Sequence, residues 1–241
     1  RASQWRVFSD LYPDQLTNEQ INEYLFDNDH SSITHQNNLR HLNQLYRWII
    51  SKGYASTNPA KDLRVRTPRK NPEIYEPNEV RKILKQTKIL YPQLIPYMSI
   101  LFFAGVRPYE AMRLDWYAFD WDRSAVLINH RISKTHTDRW VSLKPNLIEF
   151  LQPYQKERGL IFSMSRSALN RYRRKIFSEA QVNVKQDGAR HSFATYNYLT
   201  EGLEKTLDAL GHIDSKMLIK SYKNQMVGRE AQAIDYFSIL P

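Results

Sequence analysis

Apolar residues recur at helical spacing over most of this chain. Leu39, Leu42, Tyr46 and Ile49 follow one another at steps of three or four residues, and Gly53 comes next as a helix stop signal. The sequence therefore predicts a long helix that ends before Gly53. Shorter stretches with the same period precede it. We expect residues 1 to 66 to form a small all-helical domain.

A basic, proline-containing stretch follows this helical region. Residues 67 to 77 hold three prolines together with Arg69 and Lys70, a composition that favours an extended, semi-rigid connector over a packed element. We place a domain boundary there, so that residues 78 to 241 form the second domain.

The second domain begins with two helical patterns and then changes period. The helices are predicted over Val80 to Leu90 and over the strongly apolar Leu94 to Ala104, which Gly105 ends. Two strand-like runs follow, Ala125 to Asn129 and Trp140 to Leu143, separated by a polar segment typical of a hairpin tip. Helical patterns then return. The sequence predicts a mainly α fold with a small antiparallel β-sheet.

The charge balance changes what this fold is expected to bind. Lysine and arginine outnumber aspartate and glutamate by 35 to 25, which gives a net charge of +10 and a pI near 9.6. Residues 1 to 66 hold eight basic and seven acidic residues, so most of the excess lies in the rest of the chain. This balance favours a polyanionic partner, with nucleic acid ahead of an anionic membrane surface.

Several other classes of protein are disfavoured by composition. The chain has no cysteine, and its seven histidines show no zinc-like spacing, so we predict no metal and no cofactor. It contains no apolar run of about 18 residues and no signal peptide. We expect a soluble protein without membrane association, in the cytoplasm on the nucleoid or in the interior of a host cell.

Four short segments carry candidate chemistry, and each is weak by itself. Arg107 stands just after the buried helix, with Glu110 one turn later, which is an ordinary arrangement for a surface ion pair. Lys134 lies at the predicted hairpin tip, where a solvated lysine is common. Arg190 and His191 open a later helix.

The fourth segment begins Leu-Gly-His at His212 and ends on Tyr222. These four segments, in this order, resemble the signature of the tyrosine recombinase, or phage integrase, family, and the resemblance covers nearly the whole chain. It implies two catalytic arginines, a hairpin lysine, a histidine and a nucleophile, which correspond to Arg107, Arg190, Lys134, His212 and Tyr222. It also makes Glu110 the acidic residue beside the first arginine.

The resemblance implies an architecture and partners as well. A helical core-binding domain and a catalytic domain would form a C-shaped clamp around double-stranded DNA at specific sites. Strands would be cleaved and rejoined through a 3′-phosphotyrosyl intermediate without metal or ATP. The protein would act as a homo-oligomer, a tetrameric synapse on DNA, held through the C-terminal helix, whose apolar residues include Ala231, Ile234 and Phe237.

Physical chemistry supports these roles independently. Two guanidinium groups suit the charge that builds on the non-bridging oxygens of a phosphodiester in its transition state. A tyrosine hydroxyl has a pKa of about 10, so its attack needs nearby positive charge or a base. The departing 5′ oxygen needs a proton, which Lys134 can deliver.

Asp187 departs from the family pattern, because this position is commonly histidine. We interpret it as the N-cap of the helix that carries Arg190, and a role as the base for Tyr222 is the alternative. Glu110 is either catalytic or a support for an arginine, and His191 is either catalytic or a buried hydrogen-bonding residue.

Contacts with DNA outside the catalytic residues are predicted from polarity. The candidates are the polar residues at the start of the long helix and the basic pair of the connector, namely Thr34, His35, Asn38, Arg40, Arg69 and Lys70.

Two alternative functions remain open. The chain is either a DNA-binding protein with recombinase architecture and little strand-transfer activity, or an enzyme similar to type IB topoisomerases. Asp187 favours the first of these, and the compact helical first domain disfavours the second.

Overall fold

The structure is a computed structural model that describes residues 17, 19, 21, 31–66, 71–211 and 228–241. The chain divides into two compact units between Lys70 and Asn71. The α-helices in these ranges are α1 (Ser32–Ser51), α2 (Pro77–Leu90), α3 (Ile95–Phe103), α4 (Pro108–Ala111), α5 (Pro145–Leu151), α6 (Arg166–Glu179), α7 (Gly188–Glu201), α8 (Leu203–Leu210) and α9 (Glu230–Phe237). The strands are β1 (Phe119–Asp120), β2 (Ala125–Ile128) and β3 (Arg139–Ser142).

Short 3-10 helices occupy Pro92–Leu94, Trp116–Ala118 and Gln152–Tyr154. The prediction of a mainly α chain with a small antiparallel sheet is confirmed. Among the described residues, no helix combines the length and apolarity needed to cross a membrane.

Helix α1 dominates the described part of the first unit and matches its predicted stripe. Ser31 caps its start, because the Ser31 hydroxyl accepts a hydrogen bond from the Thr34 amide. The helix ends at Ser51, and Gly53 follows with φ of +75°. The Gly53 and Tyr54 amides donate to carbonyls of the last turn in the pattern of a Schellman motif. Gly53 is therefore the stop signal that the sequence predicted.

The apolar face of α1 packs on the loop that follows it. Leu39, Leu42 and Tyr46 are buried against Ala60, and Ile21 joins the same cluster. His35 is 8% exposed and lies one turn before Leu39, on this same buried face. The prediction that His35 contacts a DNA groove is therefore wrong, because its position on the helix turns it into the core.

Part of the predicted connector, residues 71–77, belongs to the second unit. Residues 67–70 lie outside the described residues. Tyr75 is buried there: its amide donates to the Ser192 hydroxyl at 2.6 Å, and its phenol oxygen accepts from the Lys185 amide at 2.8 Å. The expectation of an extended connector reaching Pro77 is wrong, because Ile74 and Tyr75 supply apolar side chains to the core.

Helix α3 forms the centre of the second unit. All nine of its residues are buried, and α2, α5 and α7 pack around it. The chain leaves α3 at Gly105, whose φ is +60°. A Cβ at Gly105 would lie 2.3 Å from Cδ1 of Phe193, so α7 approaches this backbone as closely as glycine alone permits. That approach places α7 beside the segment that leads into Arg107.

A three-stranded antiparallel sheet lies in the same unit, in the order β1-β2-β3. Its two longer strands are the predicted ones to within a residue at each end, with Ile128 paired to Arg139 and Ala125 paired to Ser142. The two-residue strand β1 was not predicted. Residues 129–138 connect β2 to β3 and form the polar hairpin tip that carries Lys134.

Helix α9 packs on its own unit through Ala233 and Tyr236, both fully buried. The Tyr236 hydroxyl donates to the Phe102 carbonyl at 2.6 Å. Ile234 and Leu240 remain 70% and 59% exposed. The helix therefore has one face packed on the core and leaves Ile234 exposed, and Leu240 is exposed just beyond its end.

Candidate active site

The carboxylate of Glu110 is the centre of the described part of the site. Glu110 is fully buried and accepts hydrogen bonds from two arginines. The Arg107 amide and Nη1 donate to it at 3.1 and 3.0 Å. The backbone amide of Lys134 points at the same carboxylate from 3.4 Å, which is a long contact. One buried anion thus connects the end of α3, helix α4 and the hairpin.

Arg139 is the second arginine on this carboxylate. Its Nη2 and Nη1 lie 2.5 and 3.3 Å from the two oxygens of Glu110, in a fork-to-carboxylate arrangement. Burial raises the pKa of Glu110, but the hydrogen bonds and charges of Arg139 and Arg107 outweigh burial and hold the pKa below its ordinary value. Glu110 is therefore an ionised acceptor that orients arginines, and it is not poised to carry a proton.

The backbone around Arg107 explains how this arginine reaches the site. Arg107 precedes α4 in an extended conformation, and Pro108 begins the helix, which suits a residue without an amide hydrogen. Glu110 sits one turn into α4, so its carboxylate returns to the Arg107 amide. The Arg107 side chain stays 18% exposed, which leaves part of its guanidinium accessible to a ligand.

Arg190 is anchored by two carbonyls. It lies in the first turn of α7 and is 9% exposed. Its Nη1 donates to the Gly105 carbonyl at 2.5 Å, and its Nη2 donates to the Leu210 carbonyl at 2.6 Å. The structure therefore ties the second candidate arginine to the segment just before Arg107 and to the end of α8.

The end of α8 also holds Arg139, whose Nε donates to the Ala209 carbonyl at 3.0 Å. The last carbonyls of a helix carry partial negative charge and lack partners within the helix, so two arginines stabilise this end. Gly211 follows with φ of +62°, and a Cβ there would lie 2.9 Å from Cδ of Arg139. The chain thus leaves α8 directly over the Arg139 side chain.

Lys134 lies at the hairpin tip with an exposed side chain. The tip has internal order, because Asp138 accepts hydrogen bonds from the amide and the ring of His130. Hydroxyl groups of Ser133 and Thr135 flank the lysine and lie 3.0 Å from each other. The hairpin therefore holds the backbone of Lys134 near Glu110 while its ammonium group extends into solvent.

Asp187 occupies the N-cap position of α7, but it does not cap the helix through its side chain. Its backbone is left-handed, with φ of +51° and ψ of +16°, and its carboxylate accepts no capping hydrogen bond. The N-cap interpretation is therefore wrong, because a side-chain cap requires an extended backbone. Asp, Asn and His are the residues most enriched in this left-handed region. Aspartate therefore suits this backbone, and histidine, which is common at this position in the family, would suit it too.

His191 follows Arg190 on α7 and is partly buried. Burial lowers the pKa of His191, the charge of Asp187 opposes that effect, and the charge of Arg190 adds to it, so the pKa falls below its ordinary value. His191 is consequently neutral at physiological pH. This supports a hydrogen-bonding role and disfavours a role as a cation at the phosphate.

Asp187→Asn tests whether the carboxylate takes part in chemistry. Asparagine adopts the left-handed region as readily, so we expect an unchanged melting temperature and intact or faster single-turnover DNA cleavage. Loss of the negative charge should lower the pKa of His191 further, which an NMR titration measures. A cleavage rate about a hundredfold lower at unchanged melting temperature would instead make Asp187 the base for the nucleophile.

Some predicted site residues lie outside the described residues, namely Arg69, Lys70, His212 and Tyr222. Two other tyrosines of the second unit lie within the described residues. Tyr196 and Tyr236 are fully buried, and burial raises the pKa of each. Neither phenol is suited to attack DNA. No cluster of three or more His, Asp or Glu side chains able to hold a metal ion occurs within the described ranges.

The first unit presents a basic groove that sequence reasoning found only in part. The groove has a volume of about 1070 Å³ and runs between α1 and the loop after it. Asn58 links the loop to the helix through a 2.8 Å hydrogen bond to Asn43. None of the described residues that line the groove is acidic, and the exposed basic residues among them are Arg40, Arg47, Lys61 and Arg64.

Of the DNA contacts predicted in this unit, Arg40 lines the groove, whereas Thr34 takes part in the N-cap of α1. Asn38 is half-buried and does not line it. Lys61 and Arg64 were missed because they lie beyond the helix, where no periodic pattern shows which way a side chain points.

Comparisons with known proteins agree with this geometry. A family model described as the phage integrase family matches residues 73–228. The tyrosine recombinase XerC of Alcanivorax borkumensis is 25% identical over 206 residues, in an alignment that covers 76% of this chain and 66% of XerC. The chain therefore spans about two thirds of the length of this relative.

Two solved structures share the fold. A lambda integrase (75–356) dimer bound to a COC′ core site superposes with a TM-score of 0.77 at 15% identity, and covers 95% of this chain and 88% of the integrase. A lambda integrase tetramer bound to a Holliday junction gives a TM-score of 0.74 at 14% identity. The superposition covers 89% of this chain and 70% of the integrase.

Proposed function

Because this chain belongs to the phage integrase family, we propose that it is a site-specific DNA recombinase that cleaves and rejoins DNA through a 3′-phosphotyrosyl bond to Tyr222. The observation that carries the proposal is the buried Glu110 carboxylate. It connects the Arg107 segment with the Lys134 hairpin, and Arg190 is tied to the same segment through Gly105. These contacts between segments that are distant in the sequence support a joint role for the three cationic residues in phosphodiester chemistry.

Arg107 and Arg190 bind the scissile phosphate in this proposal. As the tyrosine oxygen attacks, negative charge grows on the non-bridging oxygens, and preorganised guanidinium donors stabilise that charge without reorganising. Each arginine is preorganised here, Arg107 by Glu110 and Arg190 by two backbone carbonyls. Arg107 uses one guanidinium nitrogen on Glu110, and its side chain stays 18% exposed, so in this proposal its other donors meet the phosphate.

Lys134 supplies a proton to the departing 5′ oxygen, and His212 donates a further hydrogen bond to the phosphate. A lysine at the tip of a polar hairpin can reach a strand end while its backbone stays anchored at Glu110. Attack by Tyr222 breaks the bond to the 5′ oxygen and forms the phosphotyrosine. Attack by a new 5′ hydroxyl then reverses these changes, and the conserved bond energy makes ATP unnecessary.

The basic groove of the first unit binds the DNA backbone in this proposal. Four exposed cations suit consecutive phosphates, and none of the described lining residues adds a negative charge beside them. The Arg64 guanidinium is already held by the carbonyls of Lys61 and Leu63, so little side-chain freedom is lost when it meets a phosphate.

Neutralising this groove should weaken binding in a salt-dependent manner. Each of Arg47→Gln and Arg64→Gln is expected to lower affinity for duplex DNA and to reduce the slope of log K against log salt by about 0.9. The control is Lys52→Gln, at an exposed lysine of the same unit that does not line the groove. Fluorescence anisotropy over a salt series measures both quantities. Equal slopes for all variants would exclude the groove from the interface.

The protein also acts as a homo-oligomer on DNA in this proposal, as a tetramer at the synapse. A lambda integrase with the same fold forms a dimer and a tetramer with DNA. The apolar side chains left exposed on α9 and just after it, Ile234 and Leu240, are the ones we assign to a neighbouring subunit. Mass measurement of the DNA complex with and without Ile234→Lys tests that assignment.

Covalent capture tests the proposed function. The chain is incubated with nicked duplexes of random core sequence in EDTA, and adducts are separated by denaturing electrophoresis and sequenced. We expect an adduct on a 3′ phosphate at one enriched sequence. Stable DNA binding without any adduct would indicate a regulator with recombinase architecture. Relaxation of plasmids that lack the enriched sequence would indicate a topoisomerase instead.

A further inference from the structure

Arg139 has a place in the site that the sequence segments do not assign. It is the first residue of β3 and is 8% exposed, although its neighbour Trp140 is half exposed. Its side chain enters the core on the same face as Val141, where an apolar residue is the ordinary occupant of a strand. A buried cation at such a position needs partners for its donors, and Glu110 and Ala209 supply them.

We propose that Arg139 is a positioning residue that balances the charge of Glu110 and thereby leaves Arg107 free to act on the phosphate. Glu110 holds Arg107 in place, but a carboxylate facing a single arginine also cancels that arginine's charge. With Arg139 as a second cation, the group of Arg107, Glu110 and Arg139 carries one net positive charge. This inference rests on the proposed function, because it concerns how the phosphate meets that charge.

The geometry indicates that Arg139 is the arginine that neutralises the Glu110 carboxylate. Arg139 directs Nη1 and Nη2 to the carboxylate and Nε to the end of α8, so its fork is committed to protein groups. Arg107 directs Nη1 to the carboxylate. Its side chain is 18% exposed, whereas the side chain of Arg139 is 7% exposed. The two arginines thus divide two tasks, since one neutralises the carboxylate and the other faces outward.

Arg139→Met tests the inference, because methionine keeps the bulk and removes the charge. On an ordinary phosphodiester, we expect single-turnover adduct formation to slow by about a hundredfold, as expected for loss of charge stabilisation in the transition state. On a scissile methylphosphonate, where a methyl group replaces one non-bridging oxygen, less negative charge needs balancing. On that substrate, the rate of adduct formation by the variant should be within about fivefold of the wild-type rate. Arg107→Ala should show the same dependence on substrate.

Controls separate this role from a structural one. Arg123→Met, at an exposed ion pair of the same sheet, should leave both rates unchanged. If Arg139→Met does not fold by circular dichroism, Arg139→Lys replaces it. Lysine keeps the charge but lacks the fork, and about a tenfold loss confined to the phosphodiester is expected. An equal loss on both substrates overturns the positioning role. A wild type that forms no adduct with either overturns the proposed function and this role with it.

Discussion

Tyr222→Phe should abolish the covalent protein–DNA product while leaving DNA binding within about twofold of the wild type. The substitution deletes only the phenol oxygen that is proposed to attack the phosphate. Residual cleavage should fall by at least about a thousandfold, to the background of the assay. Tyr222 lies within the residues that the family model matches, although outside those that the structure describes.

The measurement uses the captured target sequence in a suicide duplex, with adducts counted on denaturing gels and binding followed by anisotropy. Tyr198→Phe is the control. This tyrosine lies on α7, is only partly buried, and has no role in the proposal. We expect it to form adducts at the wild-type rate. An adduct with the Tyr222 variant would assign the nucleophile to another tyrosine and refute the motif alignment.

Gly105→Ala should destabilise the second unit by roughly 3 kcal/mol, which corresponds to a fall in melting temperature of about 10 °C. A side chain at φ of +60° costs about 1 kcal/mol in the backbone. The new methyl group would also lie 2.3 Å from Phe193 and must displace it. Because Arg190 is on the same helix as Phe193, adduct formation should fall along with stability.

Gly228→Ala is the matched control for this effect. Gly228 has a φ of +72°, but a Cβ there meets no atom of the described residues within 4 Å, so we expect a loss near the backbone cost of about 1 kcal/mol. Thermal unfolding followed by circular dichroism compares the two alanine variants. Equal losses would show that α7 can move away from Gly105, and that their close approach does not fix the arginines.

The sequence predicted those elements whose side chains repeat with a clear period. Helix α1 and the two longer strands follow their apolar patterns to within a few residues, because burial of one face decides both conformation and register. The same rule was applied incompletely to His35, which is polar by type but falls on the buried face of α1. Position on the helix outweighed residue type.

The parts of the site that were missed depend on contacts between distant segments. Arg139 was counted with the polar hairpin tip, because nothing local shows that its partners are Glu110 and Ala209. Tyr75 was assigned to a connector by the prolines around it, yet its partners Lys185 and Ser192 are more than a hundred residues away. Asp187 was predicted to cap a helix, but its left-handed backbone prevents this.

The catalytic assignments themselves have two levels of support. The segments of Arg107, Glu110, Lys134 and Arg190 contact one another in the described structure, whereas the catalytic roles of these residues stay predictions. The roles of His212 and Tyr222 stay predictions, as does the clamp around the duplex. The covalent capture experiment and the Tyr222→Phe variant test the role of Tyr222.

The end of α8 has a consequence for motion in this site. Arg139 and Arg190 are both fastened to its last two carbonyls, and the chain that continues from it leads to His212 and Tyr222. A small rotation of α8 would therefore carry the anchors of both arginines with it, so that the two guanidinium groups shift together. Loosening either arginine from α8 should let the two groups move independently of each other.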